Sequence, residues 1–203
     1  MDNFQPSALN GCWTLQNIHV TGAGTKYNSV GGVMFKGTSN THLVRFPEGR
    51  TGTYVMPSSV VRVGSGAFGG SRLNKVGFSA KLTSLDSGAF SGSRLKSITL
   101  PASLETIADR AFAGSDLTTV HIPAGVKTIG EEAFSWCHDL ASFTVATGNT
   151  AFSGLDGCLY DKSGKVFLRC PHGKKDVLIR PGTTVIGPAA FRAHPDLKRV
   201  SIP

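Results

Sequence analysis

The sequence predicts a solenoid: short parallel strands, stacked repeat upon repeat around a continuous apolar core, with two hairpin-like insertions. Three observations carry this. Leu73 to Asp139 holds three near-copies of one unit, 22, 22 and 23 residues long, opening at Leu73, Leu95 and Leu117. The apolar residues of the copies fall in register, as Val76, Ile98, Val120; Phe78, Leu100, Ile122; Leu82, Leu104, Val126; Leu85, Ile107, Ile129; and Phe90, Phe112, Phe134. The 203 residues include 25 glycines and only 17% are charged, which suits many tight turns and few exposed long helices. A unit this small cannot bury its own apolar face, so it must stack on neighbours.

Each part of the unit has a physical reason. Val-x-Phe, Ile-x-Leu and Val-x-Ile have period two, so each pair points to one side of a short strand. Stacked copies are expected to form a ladder of these opening strands. The longer spacing of Leu104-x-x-Ile107-x-x-x-x-Phe112 reads as a second short strand followed by a turn. Phe68, Phe90, Phe112 and Phe134 then form a stacked core column. A period in the low twenties with this pattern is the leucine-rich-repeat signature.

Taken in order, residues 1–11 read as a tail. Cys12-Trp13-Thr14-Leu15 mirrors Cys137-His138-Asp139-Leu140 and His194-Pro195-Asp196-Leu197, so the chain is expected to start near the end of one repeat. A long unit covers 15–72, short units cover 73–94, 95–116 and 117–139, a second long unit covers 140–196, and 197–203 opens a further repeat. The two long units align internally: Tyr27 with Phe152, Gly32 with Gly157, Phe35 with Tyr160, and Leu43-Val44-Arg45-Phe46-Pro47 with Phe167-Leu168-Arg169-Cys170-Pro171. The segment from Leu159 reads as a β-hairpin with Asp161 to Gly164 at its turn, and Gly37 to Asn40 plays that part in the first copy. Both long units rejoin the short pattern, at Met56-Pro57 and at Ile179. A solenoid needs a polar cap over its last apolar face; none is legible here. The expectation is therefore one domain, 1–203, cut from a longer array.

Leu-x-x-Ile-x-Ile-Pro followed by Val-x-x-Ile-Gly-x-x-Ala-Phe, clearest from Leu117 to Phe134, resembles the BspA-like, or Treponema pallidum type, leucine-rich repeat. The stretch from Asn149 to Tyr160 is similar to the family's Asn-x-x-(Tyr/Phe)-x-x-x-x-Gly-x-Leu-(Tyr/Phe) segment. The resemblance covers about residues 12 to 203. Phe78-Ser79 departs from it, lacking the proline that follows Leu100 and Ile122. The resemblance implies a bacterial or protist protein, at the cell surface or secreted, and some members resemble adhesins for host matrix proteins or other microbes.

The net charge of +8 permits an acidic partner such as a sulfated glycan. There is no apolar run long enough for a membrane span. MDNFQPSALNG has neither a basic region nor an apolar core and does not read as a signal peptide. The four cysteines follow no Cys-x-x-Cys spacing. Cys158 falls where Val33 sits and Cys170 where Phe46 sits, so both read as small buried hydrophobes, with a disulfide or a zinc site as lesser alternatives. Cys12 and Cys137 occupy a repeat turn several units apart and are not expected to pair.

No catalytic constellation is legible, so no enzyme, cofactor or metal is expected. Asp86, Glu105, Asp109, Glu131 and Glu132 read as surface acids in turns. The candidate partner-binding face is the outward side of the opening strands: Lys75, Ser97, Thr99, Thr119, His121, Ser142 and Thr144. It is polar and has no aromatic anchor. A candidate basic patch for an anionic glycan lies at Arg169, Lys174, Lys175 and Arg180, with His172 adding acid-sensitive charge. Specific nucleic-acid binding is not expected, since no aromatic stacking platform interleaves these cations. The sequence thus favours a non-enzymatic adhesion module for a host matrix or microbial surface protein. The alternatives are a structural spacer presenting another domain and a basic module for anionic glycans. A monomer or weak dimer is expected.

Overall fold

The two short strands of each repeat build different sheets. The computed structural model describes residues 4–21, 26–192 and 194–203. In it, the second strands run as one parallel ladder: Arg62–Val63, Ser84–Leu85, Thr106–Ile107 and Thr128–Ile129 pair side by side. Val63, Leu85 and Ile107 point from it into the core. The opening strands pair only in twos: Thr51–Val55 with Arg72–Gly77, Thr119–Ile122 with Ser142–Val145, and Asp176–Leu178 with Arg199–Ser201. The continuous ladder expected on the opening strands therefore lies on the second strands instead.

The reason is how the turns of the solenoid are spaced. Along the phenylalanine column they stay near strand spacing. Ring centroids of Phe46, Phe68, Phe90, Phe112 and Phe134 follow one another at 4.9, 4.6, 5.4 and 5.4 Å, and the last three pairs are within 11° of parallel. All five rings are buried. Each contributes about 1.5–3 kcal/mol by burial alone. On the opening-strand side the turns part. Between Arg72–Gly77 and residues 95–100 no ladder forms; the backbone link there is Arg94 N–H to Ser71 C=O at 3.0 Å.

Each insertion is a three-stranded antiparallel meander. In the first, Tyr27–Val30, Val33–Lys36 and His42–Arg45 follow one another, and the third strand pairs parallel with Arg62–Val63. In the second, Phe152–Leu155, Cys158–Asp161 and Val166–Arg169 do the same, and the third pairs with Val185–Ile186. Both expected hairpins are present. At the second, Asp161 accepts hydrogen bonds from Ser163 Oγ and from the Val166 N–H at 2.8 Å. Gly164 turns with φ of +72°, and the Arg180 guanidinium occupies the space a side chain would need.

The second insertion splits the core. Cys158, Tyr160, Phe167, Cys170, Val177, Ile179 and Ala190 form a small cluster apart from the main one. A cavity of about 140 Å³ lies at the seam, between Phe134, Phe152, Leu168 and Ala189. Asn149 joins the start of this insertion to the repeat before it. Its Nδ2 donates to the carbonyls of Pro123 (2.8 Å) and Val126 (2.9 Å), and its Oδ1 accepts from the amides of Ala151 (2.9 Å) and Phe152 (2.7 Å). A fully buried asparagine with every group paired locks the insertion to the preceding repeat. Among the described residues, no helix is long and apolar enough to cross a membrane.

Candidate functional site

Period two along the opening strands puts alternate positions outside. Lys75, Ser97, Thr99, Thr119, His121 and Thr144 are exposed, and Ser142 is half-buried. Strand pairing sets Thr119 beside Ser142 and His121 beside Thr144, and the His121 ring Nδ1 lies 2.9 Å from Thr144 Oγ1. Thr53 and Val55 extend the columns, opposite Lys75 and Gly77. Sequence reasoning missed this pair because the repeat that begins at Thr51 lacks the opening leucine. Its signal was Tyr54-x-Met56-Pro57, which has the spacing of Ile98-x-Leu100-Pro101.

The face is not flat. Where the opening strands part, a groove of about 500 Å³ runs between two walls, Lys75 to Phe78 with Ala80 on one side and Ser97 to Thr99 with Pro101 to Ser103 on the other. Its floor is apolar, from Val76, Phe78 and Ile98; its rim carries Lys75, Ser97 and Thr99. Among the described residues, the amides and carbonyls of Ser97 to Leu100 make no backbone–backbone hydrogen bond, so this wall keeps its pairing groups. The size lies within the range of sites that hold small groups.

The basic patch does not assemble as expected. Arg169 is buried, not a surface cation; its Nη1 donates to the Ala189 carbonyl. Burial lowers its pKa, and the nearby Glu132 carboxylate opposes that. Lys174 Nζ is held by Asp156 at 2.7 Å. Lys175 and Arg180 are exposed. His172 is buried too, with its Nε2 accepting the Trp136 N–H at 3.3 Å, so it adds no surface charge.

Glu132 is likewise not the surface acid expected. Its side chain is 8% exposed and takes Arg110 Nε at 2.6 Å and Arg192 Nη1 on its other oxygen. The hydrogen bond from Arg110 holds its carboxyl below the usual glutamate range against the cost of burial, with the charges of Arg110, Arg192 and Arg169 helping. It therefore ties the third short repeat to the second long unit. Asp86 is also drawn in, accepting from Arg62 Nε at 2.7 and 2.9 Å. Glu105, Asp109 and Glu131 stay exposed.

One aromatic was overlooked. Gly70, Gly92 and Gly114 turn at φ of 65°, 64° and 68°; the next repeat places Trp136 in that column, at φ of 63° and 54% exposed. A bulky residue in the left-handed region is strained. His138, His172 and His194 continue from it as a row of rings, with centroids 6.4, 5.8 and 5.3 Å apart. The signal lay in the sequence as a glycine column broken by a tryptophan.

The model of the BspA type leucine rich repeat region matches residues 50–155, in six copies. No curated protein matches the chain. Among solved structures it is similar to a leucine-rich repeat protein of Eubacterium ventriosum, with a TM-score of 0.70 and 21% identity over 74% of this chain and 41% of that one. It is also similar to the pneumococcal vaccine antigen PcpA (0.59, 22%, 88% and 59%) and to a leucine-rich repeat protein of Bacteroides ovatus (0.53, 23%, 87% and 56%). At these identities the likeness is one of fold, and the chain spans 41–59% of the length of these proteins. Because the matched repeats run over more than half of the sequence and the stacked turns carry the pattern, the chain belongs to the BspA-type leucine-rich-repeat family.

Proposed function

We propose that this array is a non-enzymatic protein-binding module, displayed at a cell surface or secreted, which engages an extended segment of its partner in the groove between Lys75–Phe78 and Ser97–Ser103. The observation that supports this is the groove itself: an apolar floor and a wall with unpaired backbone groups, in a face whose other positions are mostly polar. An extended peptide offers the alternating apolar side chains and main-chain groups that such a site can take. The exposed columns from Thr53 to Thr144 supply the polar rim. Trp136 supports a second contact surface, because binding hot spots are enriched in tryptophan and a strained backbone there holds the ring 54% exposed. The glycan reading loses support, since Arg169 is buried and Lys174 is paired.

The test is a binding screen of host matrix proteins and sulfated glycans at low and high salt. Three variants accompany the parent: Ser97→Arg with Thr99→Arg, Lys175→Glu with Arg180→Glu, and Trp136→Gly. The groove variant is expected to lose affinity for a protein ligand at least about tenfold, with little salt dependence. Full binding by that variant, together with salt-sensitive loss in the Lys175/Arg180 variant, overturns the assignment in favour of an anionic ligand. Loss in Trp136→Gly alone moves the contact to the turn face.

A further inference from the structure

Two cysteines of the second insertion face each other across a strand pair. Cys158–Asp161 and Val166–Arg169 run antiparallel, with Leu159 opposite Arg169. One step outward in the same register sets Cys158 opposite Cys170. Directly opposed residues in such a pair have side chains on one face and Cα atoms about 4.5–5.5 Å apart. That lies inside the roughly 4.4–6.8 Å a disulfide spans. Both thiols are free in the structure and buried, at 2% and 1% exposure. Cys170 Sγ lies 3.4 Å from His194 Nε2 and 3.5 Å from the Pro171 carbonyl, and the influence of each thiol on the other pushes Cys158 below and Cys170 above the ordinary thiol range.

The first insertion shows what this place holds without sulfur. There Met34 pairs with Arg45, so the same outward step sets Val33 opposite Phe46, both buried. The second insertion moves its ring to Phe167, where the first has Leu43, and Phe167 stacks on Phe191 at 5.1 Å. This relocation leaves room for two small side chains across the pair. Cys12 and Cys137 have no such opposite: Cys137 is buried against Ser115 Oγ and the Phe112 carbonyl.

We propose that Cys158 and Cys170 form a disulfide as the chain folds in an oxidising compartment, bracing the last two strands of the second insertion. The oxidant is a small-molecule disulfide. The Cys158 thiolate attacks one of its sulfurs, giving a mixed disulfide and releasing one small thiol. Cys170 loses its proton and attacks Cys158 Sγ, expelling the second small thiol. The protein loses two electrons and two protons, and the oxidant gains both. The reaction belongs to folding, because in the finished structure neither sulfur is open to solvent.

The experiment refolds the 203-residue chain from urea in a buffer of reduced and oxidised glutathione, quenches the exchange with acid, unfolds the product again in urea to alkylate every free thiol with iodoacetamide, and maps peptides by mass spectrometry. The expected product is a single species linking Cys158 to Cys170, lighter by two hydrogens, with Cys12 and Cys137 alkylated. Its thermal midpoint should exceed that of the reduced chain by several degrees. Cys158→Val, which installs the residue of the first insertion, should abolish both the link and the redox dependence of the midpoint. Cys170→Ala provides the same control should Cys158→Val not fold. Alkylation of all four cysteines, scrambled pairing, or equal midpoints in oxidised and reduced parent chain would overturn the proposal.

Discussion

The two long units are built on one plan and neutralise themselves differently. In both, the third strand of the insertion ends in a buried arginine that donates to a carbonyl of the following turn: Arg45 to Gly66 at 2.7 Å, Arg169 to Ala189. In both, a residue three positions later accepts the N–H of a left-handed turn residue. In the first unit it is Glu48, which takes Gly11 N–H at 3.0 Å; in the second it is His172, which takes Trp136 N–H. The first unit thus carries its own counter-charge, since Glu48 also pairs with Arg45. The second has no acid there, and the carboxylate nearest in effect to Arg169 is Glu132, from the preceding repeat. One unit is electrostatically closed, whereas the other is wired into its neighbours. That suits their places: the first stacks its meander on the end of the described ladder, and the second is spliced between repeats.

The largest expected effect separates the two arginines. Arg45→Ala leaves Glu48 buried without its partner and should cost about 3–5 kcal/mol in urea unfolding. Arg169→Ala leaves Glu132 still paired to Arg110 and Arg192 and should cost about 1–3 kcal/mol. Equal losses would show that the local acid does not matter.

Asn149→Ala comes next. Two carbonyls and two amides lose their partner in the interior, and a loss of about 3 kcal/mol is expected by thermal or urea denaturation. The first unit has Gly24 at the aligned place, so this clamp distinguishes the spliced insertion. A loss below about 1 kcal/mol would mean that the seam holds without it.

A smaller effect concerns pH. The folded-state pKa of Glu132 is depressed, so its contribution is complete above the ordinary value of 4.5 and fades as pH falls through the depressed value. Glu132→Gln should therefore be less stable than the parent at pH 6, and the gap should narrow toward pH 3. Adding His172→Glu restores the acid of the first unit beside Arg169 and should reduce the pH 6 penalty of Glu132→Gln. A double-mutant cycle with no coupling would break the comparison.

The smallest effect is a gain. Trp136→Gly returns the turn column to glycine and should raise stability by up to about 1 kcal/mol, as relief of the left-handed strain outweighs the added freedom of the unfolded chain. A marked loss would show that the ring packs in a way its 54% exposure does not reveal.

Much of this molecule is readable without coordinates, because repetition turns each position into a column. The Phe68-to-Phe134 stack, both hairpins, the pairing of Val33 with Cys158 and Phe46 with Cys170 as equivalent core sites, and the outward side of Ser97, Thr99, Thr119 and His121 all follow from spacing and alternation. Those are local properties: side-chain period, turn residues, and apolar matching between copies. What spacing does not carry is how far apart successive turns lie on each side of the solenoid. Residues 95–100 and 117–122 read alike, yet only the second forms a paired strand, so the groove exists only in the stacked array. Nor does it carry where a long charged side chain ends. Arg169, His172 and Glu132 read as surface groups because their types are usually exposed. Their burial depends on carbonyls and partner charges supplied by turns roughly 20 or more residues away, which only stacking brings together.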